Sequence, residues 1–396
     1  MKTLFIHGSE KLKEDNDGNF YTDGSYNQEV WDRYLSIFKD ISVIFRKDPC
    51  IYDTDFARKN FIYFDKDRLN FIELPNLMTY TSFFSFNKRK LFKKIIKKAV
   101  IDHEYIIARL PSTSGYTAVK YAKKFNKPYL IEVVGCPWDA LWNHSIQGKI
   151  LAPINYFKMK KSVKYAPYAL YVTNEFLQKR YPSKGKTIGC SDVALPPLDE
   201  NILTKRLDKI EKMAPDKPII LGTTAAVNVR YKGQQYVIKA ISKLNSLGYN
   251  FEYHLAGGGD NSYLKKVAKK YKVADRIKFL GSLTHEKVFE FLDDIDIYIQ
   301  PSLTEGMPRA LIEAMSRGCP VLGSKTGGIP ELLNKNFIFK NGSVKGICEL
   351  LKHFNKETMK AESIRSFEKA KEFDKDLLNN RRNELLSEFM DSNYIE

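Results

Sequence analysis

The sequence predicts an α/β protein of two Rossmann-like, doubly wound domains, and three observations carry that expectation. Short strand-like apolar runs alternate with helical segments from the start of the chain, the pattern of parallel sheets covered by helices. The alternation breaks once, across LPPLDEN (195–201) and APDKP (214–218), and restarts at IILGTT. A length of 396 residues leaves ample chain for two cores.

In the first half, KTLFIH (2–7), ISVIF (41–45), FIYF (61–64), YIIAR (105–109), YLIEVV (129–134) and ALYVT (169–173) read as strands. Helices fill 26–39, 87–100, 115–126, 148–164 and 174–181. Residues 8–25, glycine-containing and polar, read as a long loop after the first strand, at the cleft-facing carboxyl end of the sheet. In the second half, IILG, FEYHLAG, IKFLG, IDIYIQ and VLG repeat the strand–helix pattern. The expected units are residues 1–197, residues 198–375 and a terminal helix over 376–396. No short-period repeat or low-complexity tract interrupts them.

The most informative stretch is DIDIYIQPSLTEGMPRALIEAMSRGCPVLGSKTGGIPELL (294–333). It reads as strand Ile295–Ile299, a turn through Pro301–Gly306, a helix over Pro308–Arg317, strand Pro320–Leu322 and a glycine turn opening a helix at Ile329. Glu305 precedes the helix and Glu313 follows eight residues later, roughly 80° further round at about 100° per residue, so both face one ligand. The free amides of Gly306–Arg309 suit a phosphate, and carboxylates accept hydrogen bonds from sugar hydroxyls. A nucleotide sugar has both kinds of group.

This stretch resembles the glutamate-x7-glutamate signature of the retaining glycosyltransferases of family 4, which have the two-domain GT-B fold. Glu305 and Glu313 stand at its glutamates, with the Gly306-Met307-Pro308 turn, the ALIEAM helix and the Gly327-Gly328-Ile329-Pro330-Glu331 loop. The resemblance extends back through RIKFLGSLTHEKV (276–288), YHLAGGGD (253–260) and VRYKGQQYVIKAI (229–241). It implies a metal-independent hexosyltransferase without cofactor, taking a nucleoside-diphosphate sugar, UDP-linked by preference, and a glycan acceptor. Glu305 would bind the transferred sugar and Glu313 the ribose, with Gly306, Met307 and Pro308 lining the phosphate turn. Gly281 to Val288 would hold the base. Lys232, before Gly233 at a helix start, matches the family's diphosphate-binding lysine. The family arginine usually follows the preceding glycine directly, where this chain has Thr223; Arg230 would replace it only if the longer loop returned its guanidinium to the phosphate. From the first domain, EVVGCPWDALWNH (132–144) offers Asp139 near the donor sugar, with His144, Trp138 and Trp142 as acceptor-side candidates. The resemblance also implies that the terminal helix crosses back to the first domain. The glycines at 257–259 need be no more than a tight turn.

The net charge of +17 is uneven: residues 1–197 carry 32 Lys+Arg against 20 Asp+Glu. NKRKLFKKIIKKAV (87–100) puts Leu91, Phe92, Ile95, Ile96, Ala99 and Val100 on one helical stripe, with seven cations and no acid elsewhere. That face suits either solvent or an anionic membrane surface beside a lipid-linked acceptor, such as a polyprenyl diphosphate, and FKMKKSVKYA (157–166) would add to it. No nucleic-acid recognition motif accompanies the charge. Five scattered cysteines without a C-x-x-C pair read as reduced packing residues. The N-terminus lacks a signal-peptide pattern and no apolar run reaches membrane-spanning length, so the expected location is the cytoplasm, peripheral to the inner face of the plasma membrane.

Two other readings fit parts of the sequence. Asp53-Thr54-Asp55 and Asp65-Lys66-Asp67 match the short Asp-x-Asp pattern of metal-dependent GT-A transferases. A catalytically silent nucleotide-sugar-binding partner in a polysaccharide assembly complex would accommodate the displaced arginine. The reading that uses most residues is a transferase of bacterial capsular, exo- or lipopolysaccharide synthesis.

Overall fold

The computed structural model describes residues 2–23, 26–77 and 85–392. The first half supplies β1 (Lys2–Asp15), β2 (Phe20–Thr22), β3 (Asp40–Tyr52), β4 (Ile62–Phe64), β5 (Asn70–Leu74), β6 (Tyr105–Leu110), β7 (Tyr129–Val133), β8 (Tyr168–Tyr171) and β9 (Lys186–Gly189). They form one nine-stranded sheet, parallel in the order β5-β3-β1-β6-β7-β8-β9, with β2 and β4 antiparallel beyond the far end of β1. The second half supplies β10 (Ile219–Thr224), β11 (Phe251–Ala256), β12 (Ile277–Gly281), β13 (Ile297–Gln300), β14 (Val321–Ser324) and β15 (Ile338–Phe339). These are all parallel, in the order β12-β11-β10-β13-β14-β15, which reverses direction between β10 and β13. Two parallel sheets with helices on their faces make the GT-B architecture, and an Asp-x-Asp GT-A site has no place in it. Asp53 instead caps the helix Thr54–Asn60, accepting from the Phe56 amide at 2.9 Å, and Asp65 accepts from the Asp67 amide at 2.9 Å.

Parallel strands are buried on both faces and read as continuous apolar runs, which is why most were legible. The stretch 8–25 is the main departure. Residues through Asp15 continue β1, Phe20–Thr22 return as β2, and residues 24 and 25 lie outside the described residues. The outer half of β1 is polar and signals a loop, but its ladder with β3 holds it extended, and Asp15 closes the turn by accepting from the Asn19 amide at 2.7 Å and the Tyr21 hydroxyl at 2.9 Å. Helix Phe86–Asp102 buries Phe92, Ile96, Ala99 and Val100, whereas Leu91 is exposed, off the expected stripe. Cys50 is exposed on β3 and is no packing residue, while Cys136, Cys190 and Cys319 are buried.

Helices Phe86–Asp102, Thr113–Lys124 and Ile146–Lys164 cover one face of the first sheet through a shared core that includes Ile6, Ile96, Val119, Ile131 and Met159. The other face receives the aromatic group Phe5, Trp31, Tyr34 and Phe38, together with residues of the last helix, Lys375–Asp391. That helix starts where the Lys375 amide donates to Leu195 O at 2.9 Å and lies against the first sheet: Phe389 meets the rings of Tyr105 at 5.5 Å and Tyr168 at 5.3 Å. Buried Arg382 donates to Ser191 O at 3.0 Å. A phenyl-sized cavity in this contact is costly, so Phe389→Ala should destabilise the protein by about 3–5 kcal/mol. A fall of several degrees in the melting temperature is the expected reading, and an unchanged melt would mean that the helix does not fasten the first half.

Candidate functional site

In open parallel sheets, ligands sit beyond the carboxyl ends of the strands where the strand order reverses. In the second sheet that place lies between the loop after β10 (225–233) and the loop after β13 (301–308). The two loops are fitted together. Gly233 has φ +81°, and a Cβ there would lie 2.0 Å from Pro301 O, so only glycine allows the approach. The Leu303 amide donates to Tyr231 O at 2.7 Å. This fit delivers Lys232 to Glu305, whose Oε1 accepts from Lys232 Nζ at 2.8 Å and from Gln300 Nε2 at 3.1 Å.

Below the pair lies a closed polar network. Tyr298 donates to Gln300 Oε1 at 2.9 Å, Gln300 Nε2 donates to Ser302 Oγ at 2.9 Å, and Tyr253 donates to Thr223 Oγ1 at 2.7 Å. Thr223, the residue at the family arginine's position, donates to Ile299 O at 2.6 Å and is buried, so it stiffens the floor and offers nothing to a ligand. Burial raises the Tyr298 hydroxyl's pKa, and the charges of Glu313 and Glu305 raise it further. Glu313, on helix Arg309–Ser316, is 7% exposed and its carboxylate has no hydrogen-bond partner among the described residues. Burial raises its pKa and outweighs the opposing charges of Arg309 and His285. Pro308 is the N-cap of that helix. Gly327 has φ +55° and sits where a Cβ would be 2.2 Å from Glu305 O, which seats the glycine loop against the Glu305 turn.

Arg230 is exposed and stacks over the Tyr263 ring at 4.5 Å, with no carboxylate partner among the described residues. It shares a single 3-10 turn with Lys232 but does not join the Lys232–Glu305 pair. Gly281 ends β12 with φ +74°, and Val288, within helix His285–Asp294, is partly buried against the core. His285, whose charge reaches Glu313, lies in that same segment.

The first half closes on this site through helix Pro137–Trp142. Asn143 Nδ2 donates to Leu303 O and Thr304 Oγ1, each at 2.9 Å, and Thr304 Oγ1 donates to Asp139 O at 3.0 Å. Glu331 reaches the other way, accepting from the Asn174 and Phe176 amides at 2.7 Å each. Met307 packs against the cores of both halves. The Asp139 carboxylate itself is paired with Arg180 at 3.2 Å, and burial keeps its pKa raised despite that cation. Trp138 and Trp142 stack on each other with centroids 5.2 Å apart, so one ring shields the other, and His144 lines a shallow hollow with Trp142, Asn143 and Lys149.

At the reversal point of the first sheet, between β1 and β6, a second polar cluster was not anticipated. Arg109 pairs with Asp192 and lies 3.4 Å from Glu132, and Tyr34 donates to Glu132 Oε1 at 2.6 Å. His7 Nδ1 lies 2.7 Å from the Tyr26 hydroxyl, and burial, aided by Arg109, lowers its pKa to about 3. Its ring is therefore neutral at physiological pH. Among the described residues no three His, Cys, Asp or Glu side chains gather in a metal-binding group.

Three comparisons bear on this geometry. The family described as "Glycosyl transferases group 1" matches residues 205–384. Protein CapJ of Staphylococcus aureus is 35% identical over 360 residues, covering 89% of this chain and 85% of CapJ. The amylovoran biosynthesis glycosyltransferase AmsK of Erwinia amylovora is 31% identical over 177 residues, covering 42% of this chain and 43% of AmsK. Among solved structures, Anabaena Alr3699/HepE in complex with UDP and glucose superposes with a TM-score of 0.63 at 16% identity, over 98% of this chain and 99% of that one.

Removing Lys232 alone leaves the mostly buried Glu305 carboxylate without its cation. Lys232→Met should therefore cost about 1–3 kcal/mol, and Lys232→Met/Glu305→Gln should recover most of that loss in thermal melts. Additive losses in the double variant would show that the two groups are uncoupled.

Proposed function

The chain belongs to the group 1 glycosyl transferases, and we propose that it moves a hexose, with retention of configuration, from a nucleoside-diphosphate sugar to a glycan acceptor in bacterial surface-polysaccharide synthesis. The observation that carries this reading is the meeting of Lys232 and Glu305, with Glu313 nearby, at the reversal point of the second sheet. AmsK's assignment to amylovoran biosynthesis supports the polysaccharide setting, and the UDP bound to Alr3699/HepE supports a UDP-sugar donor.

In the proposed reaction the bond from the anomeric carbon to the diphosphate oxygen breaks as the acceptor oxygen bonds to that carbon. The acceptor's proton passes to the departing phosphate, so no side chain need act as base. Lys232 and the backbone amides of Gly306, Met307 and Arg309 stabilise the leaving charge. A diphosphate competes with Glu305 for the Lys232 ammonium and frees the carboxylate to accept from the sugar hydroxyls. Glu313, buried and without a hydrogen-bond partner to its carboxylate among the described residues, accepts from the ribose. Gly281 to Val288 borders the base. Asp139, held by Arg180, positions the turn that Asn143 fastens to Thr304. The chemistry uses no metal or cofactor. The acceptor is lipid-linked, as on a polyprenyl diphosphate, and the enzyme works at the inner, anionic face of the plasma membrane. Among the described residues no helix is long and apolar enough to cross a membrane; the attachment proposed here is peripheral.

The displacement of Arg230 onto Tyr263 favours a second reading, a catalytically silent nucleotide-sugar-binding partner in a polysaccharide assembly complex. Turnover separates the two: under the first reading Glu305→Ala stays folded and loses transfer, and normal turnover in that variant overturns the site.

UDP at about 100 times its dissociation constant should stabilise the protein by about 2.7 kcal/mol. That thermal shift should survive EDTA and disappear in Glu313→Ala; loss on adding EDTA would contradict metal-independent binding. Because burial raises the Glu313 pKa above its ordinary 4.5, UDP affinity should fall as pH drops through that raised value, where ordinary carboxylates are still charged. The same shift acts oppositely on the fold: protonation of Glu313 favours the native state, and this contribution is lost as pH rises through the raised value. Glu313→Gln should flatten the pH dependence of binding, and an unchanged profile would remove Glu313 from the site.

A further inference from the structure

Helix Ile146–Lys164 buries Gly148, Ala152, Met159 and Val163 against the first sheet and turns its large apolar residues outward. Ile146 is 78% exposed, Ile150 70%, Ile154 62% and Phe157 65%. At about 100° per residue these four fall within an arc of about 80°, opposite the buried set. The same outward arc continues toward the helix end as Lys160, Lys161 and Lys164, and the helix contains no acid. None of these three lysines forms an ion pair among the described residues. A soluble helix of this kind ordinarily shows charge on its free side, so four large apolar side chains there require a partner.

Two further observations point to what covers them. The three neighbouring helices of this layer, Phe86–Asp102, Thr113–Lys124 and Ile146–Lys164, carry seven, three and five basic residues and a single acid, Asp102. A second copy of so basic a face would repel the first, whereas anionic lipid complements it. Helix Ile146–Lys164 also begins at the carboxyl end of β7, on the cleft side, three residues after the Asn143 that holds Thr304 beside Glu305. The apolar half of the stripe therefore borders the cleft and the lysine half lies away from it.

We propose that this face is a membrane-docking surface, in which Ile146, Ile150, Ile154 and Phe157 enter the acyl region of an anionic leaflet while Lys160, Lys161 and Lys164 meet its headgroups. Such helices lie in the interface plane, with binding set by buried apolar area plus attraction to anionic lipid. Docked in this way, the cleft opens at the leaflet surface, where the head of a lipid-linked acceptor is found. The proposal deepens the reading above, on which it rests for the acceptor, but its test does not use turnover.

Full-length protein should cosediment with phosphatidylcholine vesicles containing phosphatidylglycerol and far less with phosphatidylcholine alone. Ile150→Glu/Ile154→Glu should weaken binding about tenfold or more, with an unchanged circular dichroism spectrum and an unchanged UDP thermal shift. Lys160→Glu/Lys161→Glu should weaken binding to the anionic vesicles only. Equal binding by the wild type and the isoleucine variant overturns the proposal, as does a wild-type dimer in sedimentation that Ile150→Glu/Ile154→Glu dissociates, since the stripe is then an interface between copies. Vesicle binding that persists while UDP gives no shift would instead fault the donor-site reading and leave the docking surface standing.

Discussion

The ion pair between Lys232 and Glu305 depends on a constraint set elsewhere, the reversal of strand order between β10 and β13. There, in the second sheet, the crossovers that follow the adjacent strands β10 and β13 leave in opposite directions and open a crevice into which loops from both strands converge. Gly233 lets the first loop lie against Pro301, and the Leu303 amide ties the second loop to Tyr231. The charges meet because the backbones are already joined. Gln300 and the buried Tyr298 below it then fix the carboxylate's height in the crevice. In the proposed reaction, a cation and an acceptor already held in the crevice are what a leaving diphosphate and a sugar hydroxyl would require.

Much of this was legible because parallel strands and helix-initiating turns write strongly into sequence. The runs IILG, FEYHLAG and IDIYIQ are apolar on both faces of the sheet and leave little room for another reading. Glu305 and Glu313 are separated by a helical interval, and the charge of each raises the pKa of the buried Tyr298 hydroxyl. Lys232 was legible through its position before a helix-starting glycine. Arg230 shows the limit of such reasoning: sequence distance put it beside Lys232, but a neighbouring aromatic face at Tyr263 offered its guanidinium a closer partner.

What sequence did not display are contacts made between distant segments. Asn143, Arg180 and Glu331 each act on residues more than forty positions away or on the opposite half of the molecule, and nothing local distinguishes them from loop or surface polar residues. The Arg109–Asp192 pair is assembled from the end of β6 and the segment after β9, and Arg382 of the last helix lies 3.4 Å from Asp192. Gln300 did carry a signal, a polar residue ending a buried strand immediately before the Glu305 turn. The apolar stripe of helix Ile146–Lys164 was invisible for another reason. Periodicity marks which residues share a face but not whether that face is inward, and here the larger side chains are on the outside.

These features place the chemistry and its setting close together. One short helix, Pro137–Trp142, is followed by the asparagine that grips the Glu305 turn and then by the exposed stripe, so the proposed donor site and the outer surface are linked over a few residues. The account depends first on Lys232 receiving the diphosphate. A crystal structure of the protein soaked with UDP tests this directly: the account requires a phosphate oxygen within hydrogen-bond distance of Lys232 Nζ and the ribose hydroxyls at Glu313. A diphosphate bound elsewhere, with the Lys232–Glu305 pair undisturbed, would contradict it.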